Sequence, residues 1–207
     1  MTVAILALQG AFIEHAHILD RLDVEHFEIR QLPDLSRPFD GLILPGGEST
    51  VIGKLLHELN LFDPLKNMIQ SGLPVFGTCA GLILLAKKVH GGTVHLGTMD
   101  IAAKRNAYGR QLGSFSAAAH ISGIREEERE FPLEFIRAPY IESIYDEQGV
   151  EPIVTIDKMP DGSLGKNIVG VRYKNQIGLS FHPELTGDTR CHELFLEMCG
   201  KSIAQKR

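Results

Sequence analysis

The chain is poor in cysteine: Cys79, Cys191 and Cys199 are an odd number at spacings that suit neither a metal site nor a disulfide framework. A reduced, cytoplasmic setting is therefore expected, with at least one thiol free for chemistry. Long hydrophobic runs are also missing. The longest, residues 3–8 and 82–86, fall far short of the roughly 20 residues that a membrane helix requires. Nor is there an excess of positive charge, since 21 Lys and Arg stand against 26 Asp and Glu, a formal balance of −5. That balance excludes a general nucleic-acid binder and leaves local arginines available for a small anionic or zwitterionic substrate. The opening Val-Ala-Ile-Leu-Ala-Leu has no basic segment ahead of it and no small-residue cleavage site behind it, so no secretory signal is expected.

What remains is an ordinary globular composition on 207 residues, read as one domain over 1–207 that can bury about 70% of its unfolded surface. Residues 3–8 read as a buried strand, and Phe12, Ala16, Leu19 and Leu22 then recur at helical spacing. The alternation continues. Residues 27–32 and 41–44 read as strands, Ser49 or Thr50 could cap a helix with Val51, Ile52, Leu55, Leu56 and Leu59 on its apolar face, and residues 64–69 form another helix. Residues 74–76 give a fourth strand and 80–89 a leucine-rich helix. This order predicts an α/β fold, an open, mostly parallel sheet with helices on both faces. From Gly91 onward the texture changes. Residues 150–156, 168–173 and 176–181 read as strands turning at Asp161-Gly162 and Asn175-Gln176, so antiparallel hairpins should join one edge, and a last helix over about 189–198 should stop at Gly200.

Gly77-Thr78-Cys79-Ala80-Gly81 stands at the junction of the fourth strand and its helix, with the form Gly-x-nucleophile-x-Gly. Glycines allow a strained bend and close approach of strand and helix, which lifts the central thiol above the sheet edge where open α/β sheets bind ligands. Backbone N–H groups opening that helix favour the thiolate, the form that attacks a carbonyl carbon. The same pentapeptide also fits a small buried cysteine in a turn. Supporting groups come from His182-Pro183-Glu184, directly after a strand, where residues two apart in an extended segment project to one side. His182 would take the thiol proton and Glu184 would fix the imidazole tautomer, although a solvated strand end has the same residues. An acid that follows the histidine departs from the α/β-hydrolase order of nucleophile, acid, histidine.

Gly46-Gly47-Glu48-Ser49 follows the third strand, and its loop could offer the Gly47 N–H, with that of Ala80, to an oxyanion. Arg105 and Arg137 carry forks that suit an amino-acid carboxylate. Glu126 to Glu130 reads as a solvated loop, Cys191 and Cys199 as packing residues of the last helix, and His15, His17, His90, His95, His120 and His192 as histidines without a metal grouping.

Taken in order, Leu8-Gln-Gly-Ala11, Gly41-Leu-Ile-Leu-Pro-Gly-Gly-Glu-Ser-Thr50, Phe76-Gly-Thr-Cys-Ala-Gly-Leu82, Arg105-Asn-Ala-Tyr-Gly-Arg-Gln111, Phe135-Ile-Arg-Ala-Pro139 and Ser180-Phe-His-Pro-Glu-Leu-Thr186 resemble the triad-type glutamine amidotransferases, which have a flavodoxin-like fold. Within them the chain is similar to the glutaminase subunits of pyridoxal 5'-phosphate synthase over nearly its whole length. The resemblance implies that Cys79, His182 and Glu184 hydrolyse L-glutamine through a thioester, without a cofactor or metal. It also implies a glutamine pocket of Gly46, Gly47, Glu48, Arg105, Ile136 and Arg137, and a docking side around Gln9 and Gly10. The partner it implies is a TIM-barrel synthase subunit that receives the ammonia and without which the glutaminase is poorly active. Departures lie in the acidic stretch 126–130, the hairpin about 158–167, and Tyr140 where a histidine often stands. Two rivals remain: a glutaminase serving another synthase, such as that of imidazole glycerol phosphate, and a catalytically silent binding module.

Overall fold

A computed structural model of the chain describes residues 1–105, 114–158 and 164–205. The first half alternates β1 (Thr2–Leu6), α1 (Phe12–Arg21), β2 (Glu25–Ile29), β3 (Gly41–Leu44), α2 (Ser49–Glu58), α3 (Phe62–Gln70), β4 (Val75–Thr78) and α4 (Ala80–Leu85). Then come β5 (Ala86–His90), β6 (Met99–Lys104), β7 (Ser114–Ala119), β8 (Phe131–Ile136), β9 (Tyr140–Ile144), β10 (Val150–Lys158), β11 (Leu164–Tyr173), β12 (Gln176–Leu179) and α5 (Arg190–Gln205).

Seven strands form the main sheet in the order β10-β11-β12-β4-β3-β1-β2. The five from β12 to β2 are parallel, whereas β11 is antiparallel to both its neighbours, which puts the expected hairpins at one edge. Alternation along β1 explains the layering. Val3 and Ile5 pack into one core with α5 and β8, while Ala4 and Leu6 pack into the other with α2, α3 and α4. A strand buried on both faces needs helices on both sides, so the apolar run carried the fold class.

Several details differ from expectation. The helix read over 80–89 ends at Leu85, and Ala86 turns extended (φ −60°, ψ 133°) into β5, which pairs in parallel with β6. The carbonyl of Leu84 accepts the N–H groups of Leu96 and Gly97, which takes it out of the helical ladder. Lys87 reaches Asp100 on β6 at 2.6 Å, so Lys87 and Lys88, within the span read as helix, lie exposed on a strand. A short apolar run followed by lysines is compatible with either period. The last helix runs through Gly200 to Gln205, because Cys199 and Ser202 continue its buried face; that burial offsets the roughly 1 kcal/mol that a helical glycine costs. Glu48, not Ser49 or Thr50, caps α2, its carboxylate accepting the Thr50 N–H at 3.2 Å. Two smaller sheets, β5-β6-β9 and β7-β8, were not foreseen. The Asp161-Gly162 turn and motif residues 106–111 lie outside the described residues.

The acidic stretch is exposed, as read, yet it is anchored. Buried Arg190 donates to the carbonyls of Glu126, Arg129 and Glu130 while pairing with Asp188.

Candidate active site

Cys79 is the residue between β4 and α4, and its backbone has φ 48° and ψ −99°, a conformation that side chains rarely adopt. The surroundings over-determine it. Its N–H donates to the Leu179 carbonyl of β12 at 2.8 Å, and its own carbonyl accepts from Ile83 in α4. A Cβ on Gly77 would lie 2.8 Å from the Gly81 carbonyl carbon, and one on Gly81 would lie 2.0 Å from the Leu44 carbonyl oxygen. The flanking glycines are thus required by the closeness of strand and helix.

β12 lies beside β4 in parallel, with Leu179 opposite Thr78, and the chain leaving it delivers His182 to the carboxyl ends of both strands. This pairing brings together residues 103 positions apart, 182 − 79, a contact that spacing alone could not reveal. His182 then opens a 3-10 turn, Pro183–Leu185, with proline at its first position. Glu184 meets His182 through that turn and not through an extended segment. Its Oε1 lies 2.6 Å from His182 Nδ1, and both side chains are nearly sealed from solvent. Burial opposes charge on the His182 ring, but hydrogen bonds to Cys79 and to Glu184 prevail, and its pKa is raised to about 10. The imidazole is therefore set to hold a proton at neutral pH, with its Nδ1–H directed at the carboxylate.

Cys79 and His182 line a cleft of about 370 Å³, the size of a small-molecule site, together with Gly46, Gly47, Arg105, Ile136 and Arg137. The cysteine thiol lies 3.9 Å from the Ile136 carbonyl, and the His182 N–H donates to the Glu134 carbonyl, so β8 braces both. Gly46 sits against the imidazole, where a Cβ would come within 2.3 Å of His182 Cε1. Its carbonyl accepts the Ala11 N–H at 2.9 Å; the trans peptide consequently turns the Gly47 N–H to the opposite side. The Ala80 N–H is among the first of α4, which have no intrahelical acceptor.

Gln9 and Gly10 brace this loop from behind. Gln9 Oε1 accepts the Glu48 N–H at 2.7 Å, and a Cβ on Gly10 (φ +106°) would fall 1.8 Å from the Gly46 carbonyl oxygen. The two arginines differ. Arg105 is tied to Glu48 Oε1 at 2.7 Å and to the Thr50 hydroxyl at 3.0 Å, while Arg137, strained at φ 43°, makes no ion pair among the described residues. Glu48 uses Oε1 for both the α2 cap and Arg105, and its backbone N–H and carbonyl are taken by Gln9 and Ile52, so Oε2 is the atom it has left to offer a ligand.

Sequence reasoning overlooked a buried layer behind the pair. His15 in α1 and His192 in α5, fully buried, contact each other, and His15 also reaches Thr78 and Glu184. The available signal was position: His15 occupies the apolar face of its helix between Phe12 and Leu19.

A thiol on a tight strand-to-helix bend, a proton-holding imidazole and a carboxylate behind it are the groups that cysteine-nucleophile acyl transfer from amides requires. The chain belongs to the SNO glutamine amidotransferase family, whose model matches residues 5–201. It is 54% identical over 198 residues to the pyridoxal 5'-phosphate synthase subunit PdxT of Methanocorpusculum labreanum, covering 96% of this chain and 97% of that protein. With the protein of the same name from Desulfitobacterium hafniense it shares 50% over 210 residues, covering 100% and 98%. A crystal structure of a glutamine amidotransferase superposes with a TM-score of 0.82 at 39% identity, covering 96% of this chain and 98% of the other. PurLQS from Thermotoga maritima, at 14% identity and a TM-score of 0.65, shares the fold.

Proposed function

We propose that this chain is the glutaminase subunit of a pyridoxal 5'-phosphate synthase and that Cys79, His182 and Glu184 are its catalytic triad. The thiolate of Cys79 attacks the side-chain amide carbon of L-glutamine, and the oxyanion is met by the N–H groups of Gly47 and Ala80. His182 gives a proton to the leaving nitrogen, ammonia departs, and a thioester remains. Water, losing a proton to the same imidazole, then attacks the thioester and releases L-glutamate and the thiol. Glu184 balances the imidazolium at both stages. Arg137 is the cation left for the glutamine carboxylate, with Arg105, Gly46, Glu48 and Ile136 shaping the pocket around it.

The observation that carries the reading is the approach of His182, held 2.6 Å from Glu184, to a cysteine at a positive-φ bend inside one cleft. Extensive identity with subunits named PdxT supports the choice of acceptor. The partner is taken to be a TIM-barrel synthase subunit docking near Gln9 and Gly10. Their contacts with the Gly46–Glu48 loop give docking a physical route to the oxyanion amides. Ammonia passed directly avoids becoming ammonium, which has no lone pair for attack. A reducing cytoplasm suits this chemistry, the three cysteines being free thiols, and among the described residues no helix is long and apolar enough to cross a membrane.

The test is glutamine hydrolysis with and without the synthase subunit. Activity should rise on adding the partner, pyridoxal 5'-phosphate should form from glutamine, and Cys79→Ala should abolish hydrolysis while preserving the fold. Full hydrolysis by partner-bound Cys79→Ala would refute the mechanism.

A further inference from the structure

Glu184 is a buried carboxylate with one oxygen fully employed and the other not. Oε1 takes the His182 Nδ1–H, whereas Oε2 has no hydrogen-bond partner among the described residues. A carboxylate in that position can rotate and offer either oxygen to His182, unless something fixes the second one. His15 Nε2 lies 3.6 Å from Oε2, and the same nitrogen lies 3.1 Å from the Thr78 hydroxyl. His15 Nδ1 in turn lies 2.8 Å from His192 Nε2. Thus α1, α5, the end of β4 and the 3-10 turn bearing Glu184 converge on one ring.

We propose that His15, backed by His192, is a positioning residue that holds the Glu184 carboxylate in the single orientation that serves His182. The inference rests on Glu184 being the triad acid.

In this role His15 Nε2 carries its hydrogen: a lone pair there would face the carboxylate oxygen, and the Thr78 hydroxyl, able to donate or accept, serves as an acceptor. With His15 Nε2 as donor, Nδ1 is an acceptor, and His192 must donate from Nε2. The remaining nitrogen, His192 Nδ1, is then a bare acceptor, and it has no partner among the described residues. Phe76 packs edge-on against both rings and limits their rotation. Burial, with His192 and His182 nearby, holds His15 well below the usual histidine pKa, and burial with Arg21 nearby lowers His192 to about 3. Neutrality matters to the role. A second imidazolium beside Glu184 would compete with His182 for its charge, whereas a neutral N–H orients the carboxylate and leaves that charge available.

The experiment uses the full chain in complex with its synthase subunit and compares His15→Leu, which removes the donor, with His15→Gln, whose amide nitrogen can take the place of Nε2. His15→Leu should lower kcat about 10-fold to 100-fold, the scale seen when the outer partner of a metal ligand is lost, with KM within about twofold of wild type. His15→Gln should recover most of the loss, and melting curves report whether each variant is folded. In the wild type, nitrogen chemical shifts of labelled histidines should place hydrogen on Nε2 of both His15 and His192. A folded His15→Leu with unchanged kcat, a folded His15→Gln as impaired as His15→Leu, or hydrogen on His15 Nδ1 would each overturn the proposal. Should the variants fail to fold, the wild-type tautomer decides. Glu184→Gln, run in parallel, separates the two levels. Full activity there refutes the triad, whereas a dead Glu184→Gln beside an unaffected His15→Leu refutes only the role of His15.

Discussion

Acidifying the protein from pH 7 to pH 5 should destabilise it through His15 and His192. Both are completely buried and neutral in the fold, His15 held well below its usual pKa and His192 at about 3. In the unfolded chain each titrates near 6.5. The depressed value means that unfolded histidine binds protons which the folded form refuses, so stability is complete above about 6.5 and lost as pH falls below it. At pH 5 the loss from His192 is about 1.5 units at about 1.4 kcal/mol each, or about 2 kcal/mol, and His15 adds a loss of the same sign. For a domain of this length the His192 share alone corresponds to a fall in Tm of roughly 4–8 °C. Other shifted groups leave this window clear. His182, raised to about 10, stabilises fully below 6.5, and the lowered Asp34, Asp100 and Asp188 lose their contribution only below the ordinary carboxylate range. His95, half-buried and lowered by burial first, adds a smaller effect of the same sign. Scanning calorimetry in paired buffers of different ionisation enthalpy measures both the Tm and the protons taken up. Unfolding at pH 5 should absorb more than about one proton, His192 supplying one site and His15 adding to it. A Tm unchanged between pH 7 and pH 5, or uptake near zero, would refute the assignment of two neutral buried rings.

Gly10→Ala should cost about 100-fold or more in glutamine turnover, because its Cβ would fall 1.8 Å from the Gly46 carbonyl oxygen at φ +106° and force the oxyanion loop to move; steady-state kinetics at wild-type rates would contradict this. A glutamine-analogue electrophile should label Cys79 in preference to Cys191 and Cys199, since burial pushes the Cys191 thiol up and raises that of Cys199 to about 12. Peptide mapping that found the label on α5 would reject Cys79 as the reactive thiol.

What could be read in the sequence divides along a physical line. The bend at Cys79 was legible because its requirement is local: the glycines at 77 and 81 are demanded by contacts made within one strand-helix unit and the adjoining β3. The central parallel strands were legible because burial on both faces leaves an uninterrupted apolar run, as in β1 and β3. β5 was not, since the Leu84 carbonyl is taken by the N–H groups of Leu96 and Gly97, residues that propensity cannot weigh. Nor was the ion pair of Glu48, which depends on Arg105 coming from 57 residues away. His15 and His192 were considered only as metal ligands and set aside, although they lie on the buried faces of their helices. A buried histidine states that it has partners without naming them.

The site also depends on a register that two glycines fix. Gly178 on β12 lies directly opposite Gly77 on β4. A Cβ on Gly178 would meet Leu82 of α4 at 2.5 Å, just as one on Gly77 would meet the Gly81 backbone. Both glycines therefore clear the same space for the start of α4, and only this alignment sets the helix close enough for Cys79 to bend as it does. A slip of one residue would turn the Leu179 side of β12 toward the wrong core and carry His182 past the thiol. The glycine pair thus ties the backbone strain at Cys79 to the arrival of His182, so one packing requirement builds both halves of the candidate site.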